Sequence, residues 1–156
     1  MSRQSKRELI DQLALEVRAA QSATDQMDDA ACRALGINRT DGRCLDVIDR
    51  EGPVSAGRLA QASGLTTAAV TAVIDRIEKA GYARRLSDRN DRRRVLVELT
   101  PLARERAEII WGPMAILHQA LAERTIDQLQ LLIEFHRQSR RYNEQRAAEV
   151  RELKFD

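Results

Sequence analysis

Residues 62–100 read "ASGLTTAAVTAVIDRIEKAGYARRLSDRNDRRRVLVELT", and what this stretch folds into governs how the rest of the chain is read. Val70, Val73, Ile74 and Ile77 recur at the spacing of an amphipathic helix. Thr66 is placed to cap its start, because a threonine oxygen can accept one of the free backbone N–H groups there. The helix should run from Thr67 to about Ala80, with Gly81 as its stop. Two short strands are expected next, Tyr82–Leu86 and Val95–Leu99. The second alternates Val95, Val97 and Leu99 against Leu96 and Glu98, as a half-buried strand does. The loop between them, Ser87–Arg94, carries most of a dense cluster. Six arginines fall between Arg84 and Arg94, with only Asp88 and Asp91 as acids among them.

Upstream, Asn38 can cap a second helix that turns Leu45 and Ile48 inward and ends near Glu51-Gly52-Pro53. Ser55 can cap a short third helix with Leu59 and Ala60 facing inward, and Ala62-Ser63-Gly64-Leu65 makes a tight turn. Residues 5–35 predict one long helix with a narrow apolar stripe: Leu9, Leu13, Val17, Ala20, Met27, Ala31 and Leu35. Such a stripe calls for a partner helix. Downstream, Thr100-Pro101 starts a fifth helix, with Pro at the first helical position, where its missing N–H does no harm. Pro113, in Trp111-Gly112-Pro113-Met114, should kink or break it. Thr125-Ile126-Asp127-Gln128 has the form of a capping box and starts a sixth helix, which runs through Leu129, Leu132, Ile133 and Tyr142 to about Leu153.

Composition narrows the function. The chain has 156 residues, which suits one domain with or without helical extensions. With aromatics at 3%, the core must rest on Leu, Ile, Val and Ala. No stretch of about 18 apolar residues is present, which argues against a membrane-spanning helix. The N-terminus, MSRQSKRELIDQ, lacks the apolar segment of a secretory signal, so the expected location is the cytoplasm. Cys32 and Cys44 form neither a disulfide framework nor a metal-ligand pattern. No Ser-His-Asp or Cys-His arrangement can be placed, there is no glycine-rich phosphate loop, and histidine occurs only as His118 and His136. The expectation is a protein that is not an enzyme and holds no metal or resident cofactor. The net charge of +2 says little by itself, but residues 38–100 hold 12 Lys/Arg against 9 Asp/Glu, so the positive excess sits in the middle.

The third and fourth helices, joined by a turn containing Gly64, make a helix-turn-helix pattern. An α-helix fits the major groove of B-DNA while the helix before it crosses the backbone. Thr66, Thr67, Ala68, Thr71 and Ala72 give the fourth helix a slim outer face, which lets its backbone approach bases and its methyl groups meet thymine methyls. A hairpin directly after such a helix is a wing. Guanidinium groups of Arg89, Arg92, Arg93 and Arg94 at its tip suit phosphates and a narrow minor groove. Asp88 and Asp91 make sense as braces that hold arginines in place. A merely solvated charged face would leave the preceding helix-turn-helix unexplained. A winged-helix module that meets an acidic protein partner is the competing assignment.

Asp91-Arg92-Arg93 followed by Val97-Glu98-Leu99-Thr100 resembles the wing signature of MarR-type transcriptional regulators. Residues 62–85 are similar to that family's recognition helix and wing entry, and the resemblance covers roughly residues 35–105. It implies a fold that is mainly α with a small β-hairpin wing. A winged helix-turn-helix lobe at 37–100 would be flanked by an N-terminal dimerisation helix at 1–36 and C-terminal dimerisation helices at 101–156. It implies a homodimer on double-stranded DNA, at a pseudo-palindromic operator, that represses nearby genes. Release would come from a small aromatic or phenolic effector or from cysteine oxidation. Arg92 and Arg93 match the signature arginines, Asp91 their partner, and Arg76 a polar position near the wing and DNA backbone. Ala72 departs from the pattern, since many relatives carry arginine there. Family ligands sit between the dimerising helices and the lobe, so Met27, Cys44, Trp111 and Met114 are the candidate effector lining. Filling the core where the helix bends is the competing role for Trp111. For Cys44, the choice is between a small buried hydrophobe and a redox-sensing thiol.

Overall fold

The computed structural model describes residues 4–88 and 95–154. Its first helix, α1, spans Lys6–Leu35 and opens with a capping box: the Ser5 hydroxyl accepts from the Glu8 N–H while the Glu8 carboxylate accepts from the Ser5 N–H. Gly36 ends it in the left-handed region, which glycine enters without a Cβ penalty. After it come α2 at Arg39–Glu51, a strand β1 at Val54–Ser55, α3 at Ala56–Ser63, α4 at Thr67–Lys79, β2 at Ala83–Ser87 and β3 at Val95–Leu99. Helix α5 spans Pro101–Trp111, and a 3₁₀ turn at Gly112–Met114 leads into α6 at Ala115–Ala122. The last helix, α7, spans Ile126–Arg151 and starts with the expected capping box between Thr125 and Gln128.

The expected caps are all present: Asn38, Ser55, Thr66 and Thr100 each accept a backbone N–H three residues on. Two features depart from the sequence expectation, and a third sharpens it. The hairpin gains a third antiparallel strand, in the order β1-β3-β2, because Val54 pairs with Val97 and Ser55 with Leu96. Two residues are too few to show any periodicity, so β1 leaves no trace in the sequence. The first wing strand begins at Ala83 rather than Tyr82, whose hydroxyl instead donates to the Leu35 carbonyl at 3.0 Å. The break at Pro113 is complete enough to make α6 a separate helix, so the predicted sixth helix is α7.

The chain divides into two compact units, one ending at Ile110 and one beginning at Trp111. In the first, one core gathers Cys44, Val47 and Ile48 of α2, Leu59 of α3, the inner face of α4, Val54, Ala83, Val97 and Leu99 of the sheet, and Ala103 of α5. Helix α1 joins through Ala31 and Cys32, which are buried, whereas Leu9 and Leu13 at its other end are exposed. Arg39 fastens the start of α2 to Asp25, Asp28 and Asp29 of α1. Gly42 lets the two helices close: a Cβ there would lie 2.7 Å from the Cys32 sulfur. Among the described residues of the second unit none is buried, and among all described residues no helix is long and apolar enough to cross a membrane.

Candidate nucleic-acid interface

Helix α4 sits against the core through Val70, Val73, Ile74 and Ile77, all nearly inaccessible. Burying four branched side chains along one stripe fixes the helix's rotation about its own axis, and with it which residues face out. Those are Thr67, Ala68, Thr71, Ala72, Asp75, Arg76 and Lys79. Helix α3 leads into α4 through Gly64, whose φ of 70° is left-handed, and through a Leu65 N–H that returns to the Ala60 carbonyl at 3.1 Å. Arg43 of α2 tightens the same corner by donating to the Ser63 carbonyl at 3.0 Å.

The predicted slim outer face is therefore present at the positions named. Thr66 spends its side-chain oxygen on the Ala69 N–H, and the Thr71 hydroxyl donates to the Thr67 carbonyl at 3.1 Å. Thr71 thus presents mainly its methyl group and the two acceptor lone pairs of its hydroxyl. Thr67, Ala68 and Ala72 stand exposed beside it, with no longer side chain exposed on the first two turns of the helix.

The arginines divide into two groups. Arg84 pairs across the sheet with Glu98, its register partner, at 2.5 Å. Arg85 reaches back to α4, where it binds both Asp75 and Glu78. Its guanidinium pKa is raised, first by the hydrogen bond to Asp75. The first two arginines of the cluster are therefore fasteners between strand and helix. Asp88, named as a brace, follows β2 and is half-buried. Arg89, Asp91, Arg92, Arg93 and Arg94 lie outside the described residues.

Arg76 is held from the other flank. Its Nε donates to both oxygens of Asp41 at 3.1 Å, and its Nη2 donates to Oδ1 at 2.5 Å. Asp41 is 2% exposed and Arg76 half-exposed. The hydrogen bond to Asp41 is also the main reason the Arg76 pKa is raised. Asp41, Asp75, Glu78 and Glu98 were missed as partners in the sequence. Asp75 and Glu78 are three apart on one helix face, a visible signal, but Asp41 is 35 residues from Arg76 and no local pattern joins them.

Of the candidate effector residues, Met27 is half-buried and Cys44 fully buried in the first unit, while Trp111 and Met114 are exposed in the second. Trp111 is thus partly open beside the bend. The second unit has its own apolar groove, between α6 and α7, lined by Leu121, Leu129, Leu132, Ile133 and His136 with Arg137 and Arg140. Both thiols are free and covered, and burial raises the pKa of each. A sensing thiol needs the opposite, an exposed group with its thiolate stabilised.

Comparison with known proteins places this geometry. A MarR family model matches residues 35–94. An HTH-type transcriptional regulator of Bacillus subtilis strain 168, YcgE, is 34% identical over 137 residues, covering 86% of this chain and 89% of its own. The chain belongs to the MarR family. It is a DNA-binding transcriptional regulator with a winged helix-turn-helix lobe. Solved structures share the MarR-type fold. The transcriptional regulator Tm0710 of Thermotoga maritima aligns with a TM-score of 0.62 at 19% identity, over 88% of this chain and 98% of that one. A mutant of MepR from S. aureus, bound to an oligodeoxyribonucleotide, aligns with a TM-score of 0.56 at 17% identity, over 81% and 94%.

Proposed function

We propose that this MarR-family regulator works as a homodimeric repressor that places two α4 helices in successive major grooves of a pseudo-palindromic operator. The observation that carries it is the slim outer face of α4, fixed on one flank by Arg76–Asp41 and on the other by Arg85. That MepR, which shares the fold, is bound to an oligodeoxyribonucleotide supports DNA as the partner. Exposed Leu9, Ile10 and Leu13 on α1, and Leu131, Leu132, Ile133 and Phe135 on α7, support pairing of two copies, because a monomer has no use for so much open apolar surface. Thr67, Ala68, Thr71 and Ala72 would read base edges and thymine methyls, and Arg89, Arg92, Arg93 and Arg94 would meet phosphates or the minor groove.

Selection of duplexes from a random pool by the wild-type protein tests this. The expected product has two inverted half-sites with centres about one turn, ~10 bp, apart. A single asymmetric site bound by one copy would overturn it. Replacing Arg92 or Arg93 by Ala should weaken binding to many sequences alike and lower the salt slope by roughly 0.9 for each phosphate no longer neutralised. Transcription from a promoter carrying the selected site should fall when the protein is present.

A small aromatic or phenolic effector would release the DNA, and the open Trp111 and Met114 beside the Pro113 break are apolar surface of the right kind. Titration of the complex with a panel of phenolic acids should then lower affinity in wild type and less so in Trp111→Ala. The same assignment places the protein in the cytoplasm, with the DNA it binds.

A further inference from the structure

A nearly inaccessible carboxylate that, among the described residues, bonds a single half-exposed guanidinium asks for a purpose. Asp41 is such a group, and its place is fixed from several sides. Its own N–H is capped by Asn38 at 2.9 Å. The next residue, Gly42, is pressed so close to the Cys32 sulfur that no side chain fits between. One turn on, Cys44 is buried in the core. The carboxylate therefore cannot follow Arg76, and it is Arg76 that must conform to Asp41.

The bonds to Asp41 use the Nε and Nη2 atoms of Arg76. A guanidinium has five N–H donors in a rigid fork. Among the described residues no further protein acceptor meets this one, and the side chain is 46% exposed. It projects from the same turn of α4 as Asp75, beyond the slim face at Ala68 and Ala72. A fixed fork with spare donors beside a groove-facing helix suits a phosphate oxygen, since bonds of this kind set a protein's register on the duplex.

We propose that Asp41 is a positioning residue for DNA binding: it holds the Arg76 guanidinium so that the remaining N–H groups meet the phosphate backbone flanking the half-site. The proposal rests on the DNA-binding role of α4. It carries a sign that a purely structural ion pair does not. Replacing Asp41 by Asn removes a negative charge from each subunit, which by electrostatics alone tightens DNA binding. If Asp41 positions Arg76, binding weakens instead.

The test uses the full chain and a duplex enriched from a random pool by the wild-type protein, with binding followed by fluorescence anisotropy across a salt series. Concentrations are normalised to folded protein measured by circular dichroism. Asp41→Asn should bind roughly a hundredfold more weakly, about tenfold for the charged hydrogen bond lost in each of the two subunits. Arg76→Lys keeps the charge and the buried partner but loses the fork, and should weaken binding similarly. Adding Asp41→Asn to Arg76→Lys should cost no further affinity. Wild-type or tighter binding by Asp41→Asn overturns the proposal. Should that variant fail to fold, wild-type binding by Arg76→Lys overturns it equally. A wild-type protein that enriches no duplex would sink the DNA-binding role itself, a result distinct from variants that match a binding wild type.

Discussion

The lobe that ends at Ile110 and the helices that begin at Trp111 treat their apolar residues in opposite ways. Every buried residue among those described lies between Ala31 and Ala103. Beyond Trp111 the chain is as rich in Leu and Ile, yet Ile116, Leu117, Leu131 and Ile133 stay open. Burial releases roughly 25 cal/mol for each Å² of apolar surface taken from water, so the lobe has its own driving force for folding and the later helices have little. The lobe holds its reading helix rigid by itself. The second unit is a surface that awaits a partner, which in the proposed dimer is its own copy.

The largest expected effect breaks the second region alone. The double change Leu132→Glu/Ile133→Glu should abolish the dimer in sedimentation experiments and lower operator affinity by about 10²–10⁴, the loss of linked half-site binding. The lobe's amide protection should survive. A variant that remained a dimer would remove the distinction drawn between the two regions.

The converse change strikes the lobe. Ile77→Ala empties a fully buried site and should destabilise by about 2–5 kcal/mol in denaturant unfolding. Leu131→Ala, at a position 71% exposed, should leave amide exchange of Val70–Ile77 unaltered.

Close approach inside the lobe gives a smaller effect. Gly42→Ala should cost about 1–3 kcal/mol, because the new Cβ meets the Cys32 sulfur. In a Cys32→Ala background the same change should become stabilising, by up to about 1 kcal/mol, since alanine favours a helix over glycine. Destabilisation in both backgrounds would mean that the glycine serves something other than this approach.

The smallest effect concerns the thiols. Burial raises the pKa of Cys44 and Cys32, so native protein should react slowly with iodoacetamide at neutral pH. The unfolded chain loses these protons first. Stability is therefore unaffected below the ordinary thiol pKa of about 8.5 and falls as pH rises above it, until the raised folded values are passed. Peroxide that released DNA from wild type but not from Cys44→Ser would reverse this view of Cys44 as core.

Much of this was legible in the chain. The inner face of α4, the caps at Asn38, Ser55, Thr66, Thr100 and Thr125, and the break at Pro113 all follow from local spacing and local chemistry. The slim outer face of α4 followed too, as the complement of its buried stripe. The arginine cluster was legible as a cluster but not in its division. Arg84 and Arg85 look like part of one positive patch until the sheet register sets Arg84 opposite Glu98 and turns Arg85 toward Asp75 and Glu78.

The sequence by itself determined the elements, their ends and the face that each must hide, because these depend on neighbours within a turn or two. Only the tertiary structure decided which charges meet. Asp41 joins Arg76 across 35 residues, and Tyr82 joins Leu35 across 47. A carboxylate and a guanidinium carry no address in the chain, and their pairing appears only when packing brings distant backbones within hydrogen-bonding distance.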